Sequence, residues 1–199
     1  MSRRWTGAFL IAALFGLFAC DKPYTDYEPE VTPSGPRPQV AFEPKVTVTG
    51  NALNVSYRLT NNDTSPVVVF NRIPPASPRN TAYVSVRRDG TVEVAERTFA
   101  RPPEAEANET TDYGGPVVPP GATVEHQLSV PLPLRENRPY VDQKLPDPVR
   151  KVVFCVGVAR FTPGGKAPLR DADTEYVTVQ QHGPSLGEQH LLCSEPTEL

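Results

Sequence analysis

The chain has little of what catalysis is usually built from. Its 199 residues include three histidines and three cysteines. No Gly-x-Ser-x-Gly elbow, phosphate-cradling glycine loop or His-Glu-x-x-His pair occurs. His126, His182 and His190 are scattered. Neither Cys155 nor Cys193 has a second cysteine at zinc spacing. These absences argue against a nucleophile-elbow hydrolase, a nucleotide-binding enzyme and a zinc peptidase, so no enzyme activity, cofactor or metal is expected. No cluster of lysine and arginine stands out and the formal net charge is −3, so nucleic acid is not expected as a partner. Long helices are disfavoured by 24 prolines. No apolar run reaches the ~20 residues that a helix needs to cross a bilayer.

What is present begins at the N-terminus. Arg3 and Arg4 give a basic start, and an uncharged apolar run follows from Ala8 to Ala19. That run is short for a permanent span and suits a cleaved secretory signal over residues 1–19. The competing readings are an uncleaved N-terminal anchor and a twin-arginine signal, which Trp5-Thr6-Gly7 does not continue. Leu17-Phe18-Ala19-Cys20 resembles a bacterial lipobox, which makes Cys20 the expected lipidation site and the membrane a partner through that lipid. Loss of residues 1–19 removes two arginines and no acid, taking the net charge from −3 to −5. With Cys20 acylated, Cys155 and Cys193 remain as an even pair. In an exported chain that points to a disulfide; two free buried thiols are the other reading.

Residues 20–38 read as a lipidated tether. Positions 21–38 hold five prolines and few large aliphatic residues, a composition that cannot build a core. Extended as polyproline II, they reach about 55 Å. From Gln39 to Leu199 the pattern is strand and turn. Leu53, Val55, Tyr57 and Leu59 share one face of an alternating run. Asn61 to Ser65 is turn chemistry, and Val67 to Phe70 suits a central strand. Asp89-Gly90 between Tyr83–Val86 and Thr91–Val94 marks a hairpin. Thr123 to Val130 alternates, and Lys151 to Phe161 is the most apolar strand. Tyr176 to Val179 offers another, and the tail around Leu191-Leu192-Cys193 is apolar enough to dock. The expected fold is an all-β, immunoglobulin-like antiparallel sandwich of about 7–8 strands, with an eight-stranded barrel as its rival.

The run Leu53 to Phe70 (alternating strand, Asn-Asn-Asp turn, apolar strand) and residues 118–130 (a Pro-Pro-Gly corner before an alternating strand) resemble the BsuPI-like domain family, the intracellular proteinase inhibitors. The likeness covers about 90 residues. It implies a sandwich, and it makes a peptidase inhibitor the alternative to the principal reading. Ile73 to Pro78 is the proline-rich loop such an inhibitor would present.

The remaining candidates read as structural. His126 lies on the apolar face of its strand and is expected to be a satisfied, partly buried histidine. Glu104, Glu106, Glu109 and Asp112 lack calcium-loop spacing and read as a solvated loop. Arg87, Arg88, Arg97 and Arg101 form a modest cationic feature, expected to be solvated strand ends. Sequons begin at Asn54, Asn62 and Asn108, and in a bacterial chain they carry no implication. The function expected is a non-enzymatic, lipid-anchored interaction or accessory domain of the cell envelope, facing the periplasm or exterior, with an envelope protein as partner. The alternatives are an inhibitor displayed on the membrane surface and an enzyme with an unrecognised site.

Overall fold

A computed structural model describes residues 33–72, 82–99, 113–140, 142–161, 169–170, 176–179 and 188–199. The leader, Cys20, most of the tether, Ile73 to Pro78, Arg101, the acidic loop with Asn108, and His182 lie outside these residues. Within them there is no α-helix. Twelve strands run in the order β1 (Val40–Thr49), β2 (Ala52–Asn61), β3 (Val67–Val69), β4 (Tyr83–Val86), β5 (Val92–Glu96), β6 (Tyr113–Val118), β7 (Thr123–Pro131), β8 (Lys151–Arg160), β9 (Leu169–Arg170), β10 (Tyr176–Val179), β11 (His190–Cys193) and β12 (Thr197–Glu198). The excess over the expected count comes from β6 and from short pieces such as β9 and β12. Two sheets pack face to face as an open sandwich.

The smaller sheet has the order β1-β2-β7. The first two strands, of ten residues each, form a hairpin around Gly50, whose φ of 60° suits glycine. In β1 the strand begins at Val40, before Pro44. The Gln39 carbonyl accepts from Asn62 N–H at 2.9 Å, which fixes the phase: odd residues of β1 bond to β2 and even ones face away. Pro44 therefore puts its missing N–H on the open edge, the one place in a sheet where proline removes no bond.

The larger sheet has the order β4-β5-β8-β3-β6-β10-β9, with β11 and β12 also on β8. Its spine is β8. Val156 pairs with Glu96 of β5 and Leu192 of β11, and Val158 pairs with Val69 of β3 and His190 of β11. The β5–β8 pairing is parallel; the others are antiparallel. The Asp89-Gly90 turn closes the β4–β5 hairpin, with Asp89 accepting from Thr91 N–H at 3.0 Å. β6 begins Tyr-Gly-Gly-Pro, which does not read as a strand. Gly115 is needed there because a Cβ would run into the Val69 carbonyl.

The sheets meet through period-two faces. Leu53, Val55, Tyr57 and Leu59 pack with Val92, Val94, Val152, Phe154, Val156 and Val158 in one core. Each such side chain is worth roughly 1.5–3 kcal/mol when fully buried. Residues 132–140 and 142–145 strap the outer edge of β4. Asn137 exchanges two backbone bonds with Val84, its side chain donates to the Ala82 carbonyl, and Gln143 Oε1 accepts from Val86 N–H at 2.7 Å. The tether does not stay free to its end: Pro38 is buried, and Gln39 N–H donates to Asp63.

Candidate functional site

Three polar side chains meet between the sheets. Each sits on the apolar face of its own strand: Tyr57 in phase with Val55 and Leu59, His126 with Val124 and Leu128, Glu96 with Val92 and Val94. Tyr57 and His126 are register partners on β2 and β7. Glu96 ends β5 in the opposite sheet and is 1% exposed. Its Oε1 lies 2.9 Å from His126 Nε2, and its Oε2 accepts from the Tyr57 hydroxyl at 3.3 Å. The Asn71 amide lies near the Tyr57 hydroxyl and pulls its pKa down. The Tyr57 ring stacks on Phe154 at 5.7 Å and contacts Phe42 at 5.6 Å, so the cluster is walled by aromatic rings.

The electrostatics follow from burial. Desolvation raises the Glu96 pKa, and the His126 contact pulls it partly back. The hydrogen bond to Glu96 raises the His126 pKa against the smaller effect of its own partial burial. Burial, and then the Glu96 charge, raises the Tyr57 phenol. The group can hold a proton between a carboxylate and an imidazole, and it ties one sheet to the other. A general base needs a nucleophile or substrate group within reach. Here the nearest groups to Glu96 are the two donors it already accepts from. Sequence parity placed His126 and Tyr57 on inward faces. Glu96 was missed, although it continues the Val92, Val94 phase by one step.

The other candidates separate. Cys155 and Cys193 face each other across β8 and β11, with Cα atoms 4.1 Å apart, and form a disulfide. It fastens the C-terminal tail to the most apolar strand. His190, on β11, contacts the Gly35 backbone, and partial burial lowers its pKa. Arg97 is not a solvated strand end. It is 7% exposed, ion-paired to buried Glu93 at 3.2 Å and seated 4.3 Å from the Phe99 ring centroid. Arg87 lies 3.8 Å from the same carboxylate. A β-strand carrying inward aliphatics turns its alternate residues outward, and here that face is also covered, so Glu93 and Arg97 must satisfy each other. The Asn-Asn-Asp turn is a buried polar corner. Asn61 donates to the Ser65 and Val118 carbonyls, and Asp63 accepts from Gln39, Ser65 and the Arg160 guanidinium. Among the described residues no three of His, Cys, Asp and Glu group to hold a metal ion.

The outward face of the small sheet is polar. Lys45, Thr47, Asn54, Ser56, Gln127 and Ser129 line a shallow groove of about 420 Å³ across it. Arg58 and Glu125 pair beside it at 2.6 Å. This chain matches no family model, no curated protein and no solved structure.

Proposed function

We propose that this chain is a lipid-anchored lipoprotein of the cell envelope, held at the membrane through acyl chains on Cys20, whose sandwich serves as a non-enzymatic protein-interaction or accessory domain. The disulfide carries the reading. Disulfides form and persist in oxidising compartments. Pairing Cys155 with Cys193 leaves Cys20 as the one remaining thiol of the chain, at the end of a lipobox-like sequence. The inter-sheet cluster supports the non-enzymatic part, because Glu96 is committed to His126 and Tyr57. The polar outer face of β1-β2-β7 supplies a solvated surface for a partner.

The test is membrane association. One acyl chain binds membranes only marginally, whereas several chains anchor stably. The wild-type protein is expected in the detergent phase, and Cys20→Ala is expected to be released or left unprocessed. Equal partitioning and processing of the two sinks the lipoprotein reading. Pull-down from crosslinked envelope then separates the roles: a stoichiometric envelope protein supports the interaction domain, and a trapped protease supports the inhibitor.

A further inference from the structure

The two ends of the disulfide sit in different surroundings. Cys155 is 0% exposed and packs against Ala95 and Val153, whereas Cys193 is exposed. A thiolate arriving from solvent therefore meets Cys193 first. Apart from this bond, residues 188–199 are held by little. Leu192 is the only one of them that is buried, and every other buried member of the inter-sheet core lies outside this tail. The Thr98 N–H and hydroxyl donate to Gln189 Oε1 at 2.8 and 3.0 Å, and Gln189 Nε2 donates to the Thr98 carbonyl at 3.2 Å. Phe154 N–H donates to Ser194 Oγ at 3.0 Å, and the Phe154 carbonyl accepts from Ser194 N–H at 2.8 Å. β12 adds two register pairs and an exposed ion pair, Lys151 to Glu198 at 3.1 Å, which contributes little. A short segment with one buried side chain opens locally at low cost unless something covalent prevents it.

We propose that the Cys155–Cys193 disulfide is a redox latch: a dithiol reductant opens it at Cys193, and residues 188–199 then leave β8 as a unit while the two sheets stay folded. One thiolate of the reductant bonds to Cys193 Sγ as the Cys155–Cys193 bond breaks, and Cys155 leaves as a thiolate that takes up a proton. The second thiol of the reductant then bonds to the first, and Cys193 leaves as a thiol. The protein gains two electrons and two protons, and the dithiol ends as its own disulfide. Departure of the tail bares one flank of β8 and takes His190 away from the Gly35 backbone at the end of the tether. Phe154 then turns both its backbone groups to solvent, and an open edge of this kind is a template for another strand. In an oxidising compartment the latch is shut and the flank is sealed. The latch goes beyond the interaction-domain reading and needs no partner to be tested.

The experiment uses the full-length chain in detergent, without denaturant. Brief treatment with glutathione, a monothiol, followed by an acid quench should trap the first step, and peptide mass spectrometry should find the adduct on Cys193 and not on Cys155. After dithiothreitol, hydrogen exchange should show residues 188–199 and the Phe154 N–H losing their protection, while β2 and β7 remain protected. Cys193→Ser, which cannot close the latch, should show the same unprotected tail with or without dithiothreitol. A tail that stays protected after reduction overturns the proposal, since the ladder then holds it without the bond. Loss of protection in β2 and β7 as well overturns it, because the disulfide then supports the whole fold. An adduct on Cys155, or a bond that dithiothreitol opens only once denaturant is added, also overturns it.

Discussion

Removing His126 should cost far more than one ordinary hydrogen bond, because of what it leaves behind. Glu96 is 1% exposed, and its other donor, the Tyr57 hydroxyl, is 3.3 Å away. Replacing His126 with Leu strands a buried carboxylate. Breaking a buried charge pair from one side costs about 3–5 kcal/mol. His126 is 32% exposed at the side chain, so water reaches the gap and the lower end applies, about 3 kcal/mol. With an m-value of about 2 kcal/mol/M, the urea midpoint at neutral pH should fall by about 1.5 M. Adding Glu96→Leu should recover most of that loss, since no charge is then stranded and the site becomes apolar. The pH dependence has a definite sign. The folded pKa of His126 lies above 6.5, so its contribution is complete below pH 6.5 and is lost as pH rises through the folded value. The folded pKa of Glu96 lies above 4.5, which acts in the same sense at lower pH. Urea unfolding across pH 5–9 should show wild-type stability declining toward alkaline pH and a flatter profile in the double variant. A midpoint shift under ~0.5 M for His126→Leu, with no recovery in the double variant, would refute the buried-charge argument.

Three other outcomes are expected. Cys193→Ser should cost about 4 kcal/mol through the 38-residue loop it opens, read as a lower thermal midpoint that reductant no longer changes; denatured, non-reduced wild type should show no reactive thiol at Cys155 or Cys193. The Asp63 carboxyl is held at about 2 by the Gln39 N–H and then by Arg160, so its stabilisation holds above pH 3.8 and is lost as pH falls toward 2. Acid titration of Asp63→Asn, followed by circular dichroism, should lack that step. Gly157→Ala should lose about 1–3 kcal/mol in chemical denaturation, because the added methyl meets the Gln189 side chain that pairs with Thr98; Gln189→Ala in the same chain should relieve part of the clash.

The strands legible in the sequence were those with one buried face. β2 and β7 alternate cleanly because only one side meets the core. β8 showed as an apolar run because both its faces are covered: Phe154 and Val156 face the other sheet, while Val153 and Cys155 pack with Ala95. What alternation cannot report is partnership across the gap. Tyr57 and His126 were visibly inward, but their common acceptor sits on the other sheet, brought there by the parallel β5–β8 pairing. β6 was hidden by Gly114-Gly115-Pro116, a run without strand propensity in which Gly115 is required by the close approach of the Val69 carbonyl. In β1, Pro44 interrupts the strand pattern, and only its place on an open edge lets the strand run through it.

The position of β8 bears on how the polypeptide is made. Its Lys151–Arg160 sequence is rich in β-branched residues, and one of its two sides is completed only by His190–Cys193 and Thr197–Glu198. During synthesis the most adhesive strand therefore waits, one flank bare, until residues 190–198 have been added. An unfinished flank of this kind is where nascent chains stick to one another. A chain cut before His190 would thus lose only Leu192 of the buried aliphatic core and still be prone to clump, because the segment that seals this flank is made after the strand it covers.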